Sequence, residues 1–177
     1  MGKLALDDAA IEELLKLQQL EELSIDAELN SNQEKVVFAD QPNWRSVNFA
    51  FTGKFGSLQF QQMPALRSLE VSTRTSRSNS SEIVDIFEDL SALELCSYSC
   101  AHDDRDRPQK SRVRPRFRNV PRLRDLFISG FRIELDINEQ LPELATLSGY
   151  TSYEPALLQS LRRFMPNLKQ LDIRPPN

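Results

Sequence analysis

Apolar positions fall along this chain in a short repeated unit, L-x-x-L-x-hydrophobic, rather than in long runs. The unit occurs as Leu20-x-x-Leu23-x-Ile25, Trp44-x-x-Val47-x-Phe49, Leu66-x-x-Leu69-x-Val71 and Leu90-x-x-Leu93-x-Leu95. It continues as Leu123-x-x-Leu126-x-Ile128, Leu144-x-x-Leu147-x-Gly149 and Leu168-x-x-Leu171-x-Ile173, which makes seven copies. Their first positions are 24, 22, 24, 33, 21 and 24 residues apart, so only the fourth interval leaves a narrow range. A period of this size marks a stacked repeat architecture. Pro42, Pro64, Pro121, Pro142 and Pro166 each stand two residues ahead of a unit. A ring that fixes φ and removes the N–H stops a helix there and starts an extended segment.

The last two apolar residues of each unit are two apart, so on a strand they share one face while their neighbours occupy the other. Each unit therefore predicts a short parallel strand. The stretches between units predict the return leg, with helix-like apolar spacing and start signals at 81–87 and 155–164. Asp7 or Asp8 is placed to cap a further helix carrying Ile11, Leu14 and Leu15. No single unit can bury its own apolar edge, so neighbours must stack and share a core along one axis.

The fuller units Met63-Pro64-Ala65-Leu66-Arg67-Ser68-Leu69-Glu70-Val71 and Met165-Pro166-Asn167-Leu168-Lys169-Gln170-Leu171-Asp172-Ile173 resemble the leucine-rich repeats of F-box-type proteins. The resemblance spans Leu14 to Ile173. It implies an α/β fold: a curved leucine-rich-repeat solenoid of about seven repeats, with parallel strands on the concave face and helices or turns on the convex face. The Asn or Cys that the family places after the last strand leucine is replaced here, at positions that include Glu28, Thr52, Arg74, Tyr98 and Phe131. No F-box pattern accompanies the units, so adaptor binding is carried over to no residue. Residues 1–177 are expected to form a single repeat domain belonging to a longer repeat protein, because neither end of the array shows a polar cap.

A chain of 177 residues with 40% hydrophobic residues is enough for one core. Its net charge of -4 gives no overall attraction to a nucleic-acid backbone or an anionic membrane. No apolar stretch reaches the roughly 18 residues that cross a bilayer. The first residues lack the apolar core and cleavage pattern of a secretory signal, so a cytoplasmic or nuclear chain without membrane partners is expected. In such a compartment Cys96 and Cys100 stay thiols, and the acceptor pattern Asn79-Ser80-Ser81 is set aside.

The average charge hides an asymmetry. Between Arg105 and Arg124 lie nine Lys or Arg and one acid, a local +8, which leaves 13 basic and 25 acidic residues elsewhere, a net of -12. The basic stretch fills the long fourth interval, and residues 101–118 are expected as a loop insertion carrying Arg105, Arg107, Lys110, Arg112, Arg114, Arg116 and Arg118. The outward strand positions, on the concave face in the resembling family, include Glu22, Ser24, Asp26, Ser68, Glu70, Glu94, Asp125, Phe127, Gln170 and Asp172. These are the candidate partner-binding residues. Six of them are acidic, so a protein partner with a basic segment is expected, and the chain's own insertion is a candidate competitor for the face. A solvated strand face without charge preference accounts for the same pattern. The insertion also fits a nuclear-localisation or RNA-contact patch, yet Phe117 is its single aromatic ring, and nucleic acid is not the expected partner.

Signals for chemistry are sparse. His102 is the only histidine, and the chain has no G-x-x-x-x-G-K-[ST] loop and no G-x-G-x-x-G turn. Cys96, Cys100, His102 and Asp103 form a weak zinc pattern without a C-x-x-C pair; the plainer reading is a strand thiol, a loop thiol and a solvent-facing imidazole. The expectation is a non-catalytic protein-binding module without cofactor or metal. By resemblance it would be the substrate-recognition part of an F-box-type ubiquitin-ligase subunit, with an adaptor bound only through an F-box outside this chain. The alternatives are the sensing repeats of an intracellular immune receptor and an RNA-associated repeat protein using the basic insertion.

Overall fold

The structure, a computed structural model, describes residues 4–31, 33–75, 82–102, 112–130, 139–150, 161 and 163–174. Its elements are β1 (Leu4–Leu6), α1 (Asp8–Leu15), β2 (Glu22–Asn30), β3 (Lys35–Ala39), β4 (Ser46–Lys54), β5 (Ser57–Gln61), β6 (Ser68–Thr75), β7 (Glu82–Glu88), β8 (Leu95–His102), β9 (Arg112–Arg118), β10 (Asp125–Gly130), β11 (Thr146–Tyr150) and β12 (Gln170–Arg174). An eight-stranded sheet in the order β1-β2-β4-β6-β8-β10-β11-β12 faces a four-stranded sheet in the order β3-β5-β7-β9. All recorded strand pairs are parallel. The chain thus winds as a parallel β-solenoid of about five turns, each turn adding one strand to each growing sheet where both layers are described.

The winding is written into the corner that precedes six of the eight strands of the larger sheet, β2, β6, β8, β10, β11 and β12. Two apolar residues three apart close a turn in which the second N–H donates to the first carbonyl: Leu20 to Leu17, Leu66 to Met63, Leu93 to Leu90, Leu123 to Val120, Leu144 to Leu141 and Leu168 to Met165, at 3.0–3.3 Å. Pro64, Pro121, Pro142 and Pro166 occupy the second turn position, where a fixed φ near -65° is already correct. Just before the turn, Asp40, Gln62, Asp89 and Asn119 each take positive φ, between 48° and 58°, and swing the chain out of the smaller sheet. Asp and Asn tolerate this region better than most residues.

After the turn one carbonyl per level accepts two N–H groups from the next. Glu21 receives Arg45 and Ser46, Arg45 receives Arg67 and Ser68, Arg67 receives Glu94 and Leu95, and Glu94 receives Arg124 and Asp125. Asn43 and Asn167 repeat a further device, donating from the side chain to the carbonyls of Gln18 and Pro142 one level below, at 2.8 and 2.7 Å. These contacts tie consecutive turns together before any side chain packs.

Between the sheets lies an apolar core with aromatic columns. Phe38, Phe60, Phe87 and Phe117 come from successive strands of the smaller sheet, with ring centroids 5.3, 5.6 and 4.8 Å apart and interplanar angles of 12°, 9° and 13°. In-register parallel pairing places like residues over like, and here the rings stack. One charged residue interrupts the adjoining column. Asp85 is fully buried, accepts the Leu58 N–H at 2.7 Å on Oδ1, and accepts the Tyr98 hydroxyl on Oδ2. The β5–β7 register starts only at Gln59, so the carboxylate takes the place of a missing backbone acceptor for Leu58.

Several sequence expectations change here. The solenoid and its parallel strands are present, but residues 83–87 form part of β7 rather than a helix. Ile83, Asp85 and Phe87 alternate inward with half-buried Val84 and Ile86, a period of two. The second layer is therefore a sheet where described, and the α/β class of the resemblance does not describe this fold. The expected helix at 155–164 lies mostly outside the described residues. The helix after Asp7 is present as α1, and Asp7 Oδ1 accepts from Ala10 N at 2.8 Å. Within the expected loop 101–118, residues 112–118 are strand β9 and residues 101–102 end β8; residues 103–111 lie outside the described residues.

Candidate functional site

Residues pointing away from the core on the larger sheet fall into rows fixed by the register. One row runs Glu22–Ser46–Ser68–Leu95–Asp125–Thr146–Gln170. The next runs Ser24–Asn48–Glu70–Ser97–Phe127–Ser148–Asp172, and the third runs Asp26–Ala50–Ser72–Ser99–Ser129–Tyr150–Arg174. Rows lie about 7 Å apart along the strands and neighbours within a row about 4.8 Å apart. Glu22, Ser24, Asp26, Ser68, Glu70, Asp125, Phe127, Gln170 and Asp172 are thereby brought onto one outer face.

Glu94 is the exception. It precedes β8 at the corner and its carbonyl receives the Arg124 and Asp125 N–H groups. The fourth unit stands three residues later than the expected Leu90-x-x-Leu93-x-Leu95: Leu90 and Leu93 form the corner turn, and the inward strand residues are Cys96, Tyr98 and Cys100. The same shift turns Leu95 outward, where it is 44% exposed. The alternation Cys96-Ser-Tyr98-Ser-Cys100 carried this signal, as did the three-residue spacing of apolar pairs ahead of β2, β6, β10, β11 and β12.

Leu95, Phe127 and Tyr150 sit one row apart on the adjacent strands β8, β10 and β11, so they draw a diagonal apolar stripe across the face. Tyr150 is 40% exposed, and its ring meets that of Phe127 edge-on, with centroids 6.5 Å apart and an interplanar angle of 75°. Ser97, Ser99, Ser129 and Ser148 surround them. Sequence reasoning found Phe127 but missed Leu95 and Tyr150, the latter because its row is set by pairing beyond the six-residue unit.

The first two rows carry four carboxylates, Glu22, Glu70, Asp125 and Asp172, and no cation. Arg174, in the third row, donates to Asp172 through Nε at 3.0 Å and Nη2 at 2.8 Å. This hydrogen bond holds the Asp172 carboxyl below its ordinary value and raises the Arg174 guanidinium.

Arg114, Arg116 and Arg118 are on the other side of the solenoid. Val113, Pro115 and Phe117 point into the core, while Arg114, Arg116 and Arg118 lie half-buried on the outer face of the smaller sheet. Arg118 approaches Glu88 to 3.5 Å. The period-two pattern of Arg112-Val-Arg-Pro-Arg-Phe-Arg118 and the stacking of Phe117 on Phe87 fix this strand, so 112–118 does not compete for the acidic face. Arg105, Arg107 and Lys110 lie outside the described residues.

Cys96 and Cys100 are both buried on the inward side of β8, which corrects the loop position given to Cys100. Burial pushes the Cys96 thiol up. Four residues along a strand separate two side chains by about 13 Å, too far to share an ion held at about 2.3 Å from each sulfur. Among the described residues no His, Cys, Asp or Glu cluster is arranged to hold a metal.

The class this architecture defines is a parallel β-solenoid with one carboxylate-rich, centrally apolar outer face. No family model, no curated protein and no solved structure matches the chain, and no comparison identifies a leucine-rich-repeat or F-box relationship.

Proposed function

We propose that this chain is a non-catalytic protein-binding module that presents the outer face of its larger sheet to a protein partner. The observation that carries the proposal is the stripe of Leu95, Phe127 and Tyr150, exposed or half-buried among small serines and framed by Glu70, Asp125 and Asp172. An apolar centre holding aromatic rings within a polar rim is the anatomy of protein interfaces, and rings that lose little rotamer freedom are frequent energetic centres. Serine neighbours leave the rings standing above a low floor. No cofactor is invoked.

The leucine-rich-repeat resemblance of the units supports a narrower proposal. In it the face is the substrate-recognition part of an F-box-type ubiquitin-ligase subunit, and adaptor binding belongs to an F-box elsewhere in a longer chain. The test is affinity purification of the tagged gene product beside a Phe127→Ser, Tyr150→Ser double variant. A stoichiometric protein partner retained by the parent and lost by the variant is the expected result, and an unchanged partner set overturns the face. Cullin-ligase adaptors among the retained proteins would favour the F-box reading; their absence together with a gene product of about 20 kDa would remove it.

A further inference from the structure

Charge and spacing on this face say more about what fits it. The row Glu70–Ser97–Phe127–Ser148–Asp172 is continuous through β6, β8, β10, β11 and β12. It sets a carboxylate two strands away from the Phe127 ring on either side, about 10 Å in each direction. Three residues of a polyproline-II segment cover about the same distance, at about 3.1 Å each, and with three residues per turn they bring side chains i and i+3 to the same side. Glu70 is exposed, and its side chain makes no hydrogen bond or ion pair to a described residue. Asp172 is shared with Arg174, so Glu70 is the stronger of the two anchors for an incoming cation. Between the anchors and the ring, Ser97 and Ser148 present hydroxyls that both donate and accept, suited to the unpaired backbone of a polyproline-II segment laid across them.

We infer that the face takes a cationic segment of a partner protein in the polyproline-II conformation, running across the strands, with an apolar side chain against Leu95, Phe127 and Tyr150 and a Lys or Arg three residues away over Glu70. This rests on the protein-binding reading above and specifies its ligand. The first two rows carry four carboxylates and no cation, and Arg174 of the third row is engaged by Asp172, so an acidic segment would be repelled there and a basic one drawn in, more strongly at low salt.

The test uses the full chain and synthetic peptides with a central leucine, lysine three residues to each side, and proline between them to keep the probe extended. Fluorescence anisotropy should show binding that weakens as salt rises and falls about tenfold in Glu70→Lys, with a smaller loss in Glu70→Gln. A matched peptide with glutamate in place of lysine should bind Glu70→Lys better than the parent chain. Equal binding of lysine and glutamate peptides, or indifference to both Glu70 variants, overturns the inference, as does no binding by any peptide. If both peptides bind alike and both are lost in Phe127→Ser, the apolar face still takes protein and only the charge pattern falls. Retention of the cellular partner by the Phe127→Ser, Tyr150→Ser chain removes the underlying reading instead.

Discussion

At the scale of single residues, backbone conformation decides more than side-chain chemistry. Gln62 carries the same positive φ as Asp40, Asp89 and Asn119, but without a short side chain suited to it. A non-glycine residue there costs about 1–2 kcal/mol, and glycine gives back about 0.5–1 kcal/mol in entropy. Gln62→Gly should therefore raise stability by about 0.5–1 kcal/mol, visible as a higher urea midpoint. Gly149 has the opposite character. It lies in β11 at φ +153°, and a Cβ there would fall 1.7 Å from the Ile128 carbonyl oxygen of β10. Gly149→Ala should lose about 3 kcal/mol or more, read from the same denaturation curve. Cys96 adds a dependence on pH. Its folded pKa is raised by burial above the ordinary 9.0, so its neutral form matches both states below that pH. Above it the unfolded chain releases a proton that the folded chain keeps, and stability falls by up to about 1.4 kcal/mol per pH unit. Urea midpoints at rising alkaline pH should drop less steeply in Cys96→Ala than in the parent.

Elements are held by stacking from one level to the next. The column Phe38, Phe60, Phe87 and Phe117 is the clearest case, because each interior ring contacts a ring above and a ring below. Phe87 also meets Tyr98 of the opposite sheet edge-on at 5.8 Å, so it joins both layers. Phe87→Ala should lose about 3–5 kcal/mol by calorimetry or denaturant. Phe127→Ser, on the outer face, should change stability by less than about 1 kcal/mol while removing partner binding. Comparable stability losses for the two substitutions would mean that Phe127 belongs to the core and not to a recognition face.

For the molecule as a whole, each turn touches mainly its neighbours, so stability is expected to vary along the axis rather than to be uniform. Central turns contain the aromatic columns and fully buried Trp44, Phe49, Phe60 and Phe87, whereas β12 leaves Leu171 43% exposed. Amide hydrogen exchange should be slowest across β4 to β8 and fastest in β12. Uniform protection would show that the solenoid opens as one unit.

The sequence by itself determined the repeat, the corner prolines and most of the outward-facing carboxylates, because a strand with one buried face repeats its apolar residues every second position wherever it lies. It also offered Asp7 or Asp8 as a helix cap, of which the structure takes Asp7. It did not settle the second layer, since short apolar runs such as Ile83-Val-Asp-Ile-Phe87 satisfy helix and strand spacing alike. Nor did local pattern fix the fourth unit, where Leu90, Leu93 and Leu95 satisfy the repeat in the wrong register. Parallel pairing with β6 and β10 decides between that register and the Cys96-Ser-Tyr98-Ser-Cys100 alternation, turning Cys96 and Tyr98 inward and Leu95 outward. Tyr150 joined Phe127 for the same reason: residues distant in the chain become neighbours on a face through hydrogen-bond register, and that register is a property of the stacked turns together.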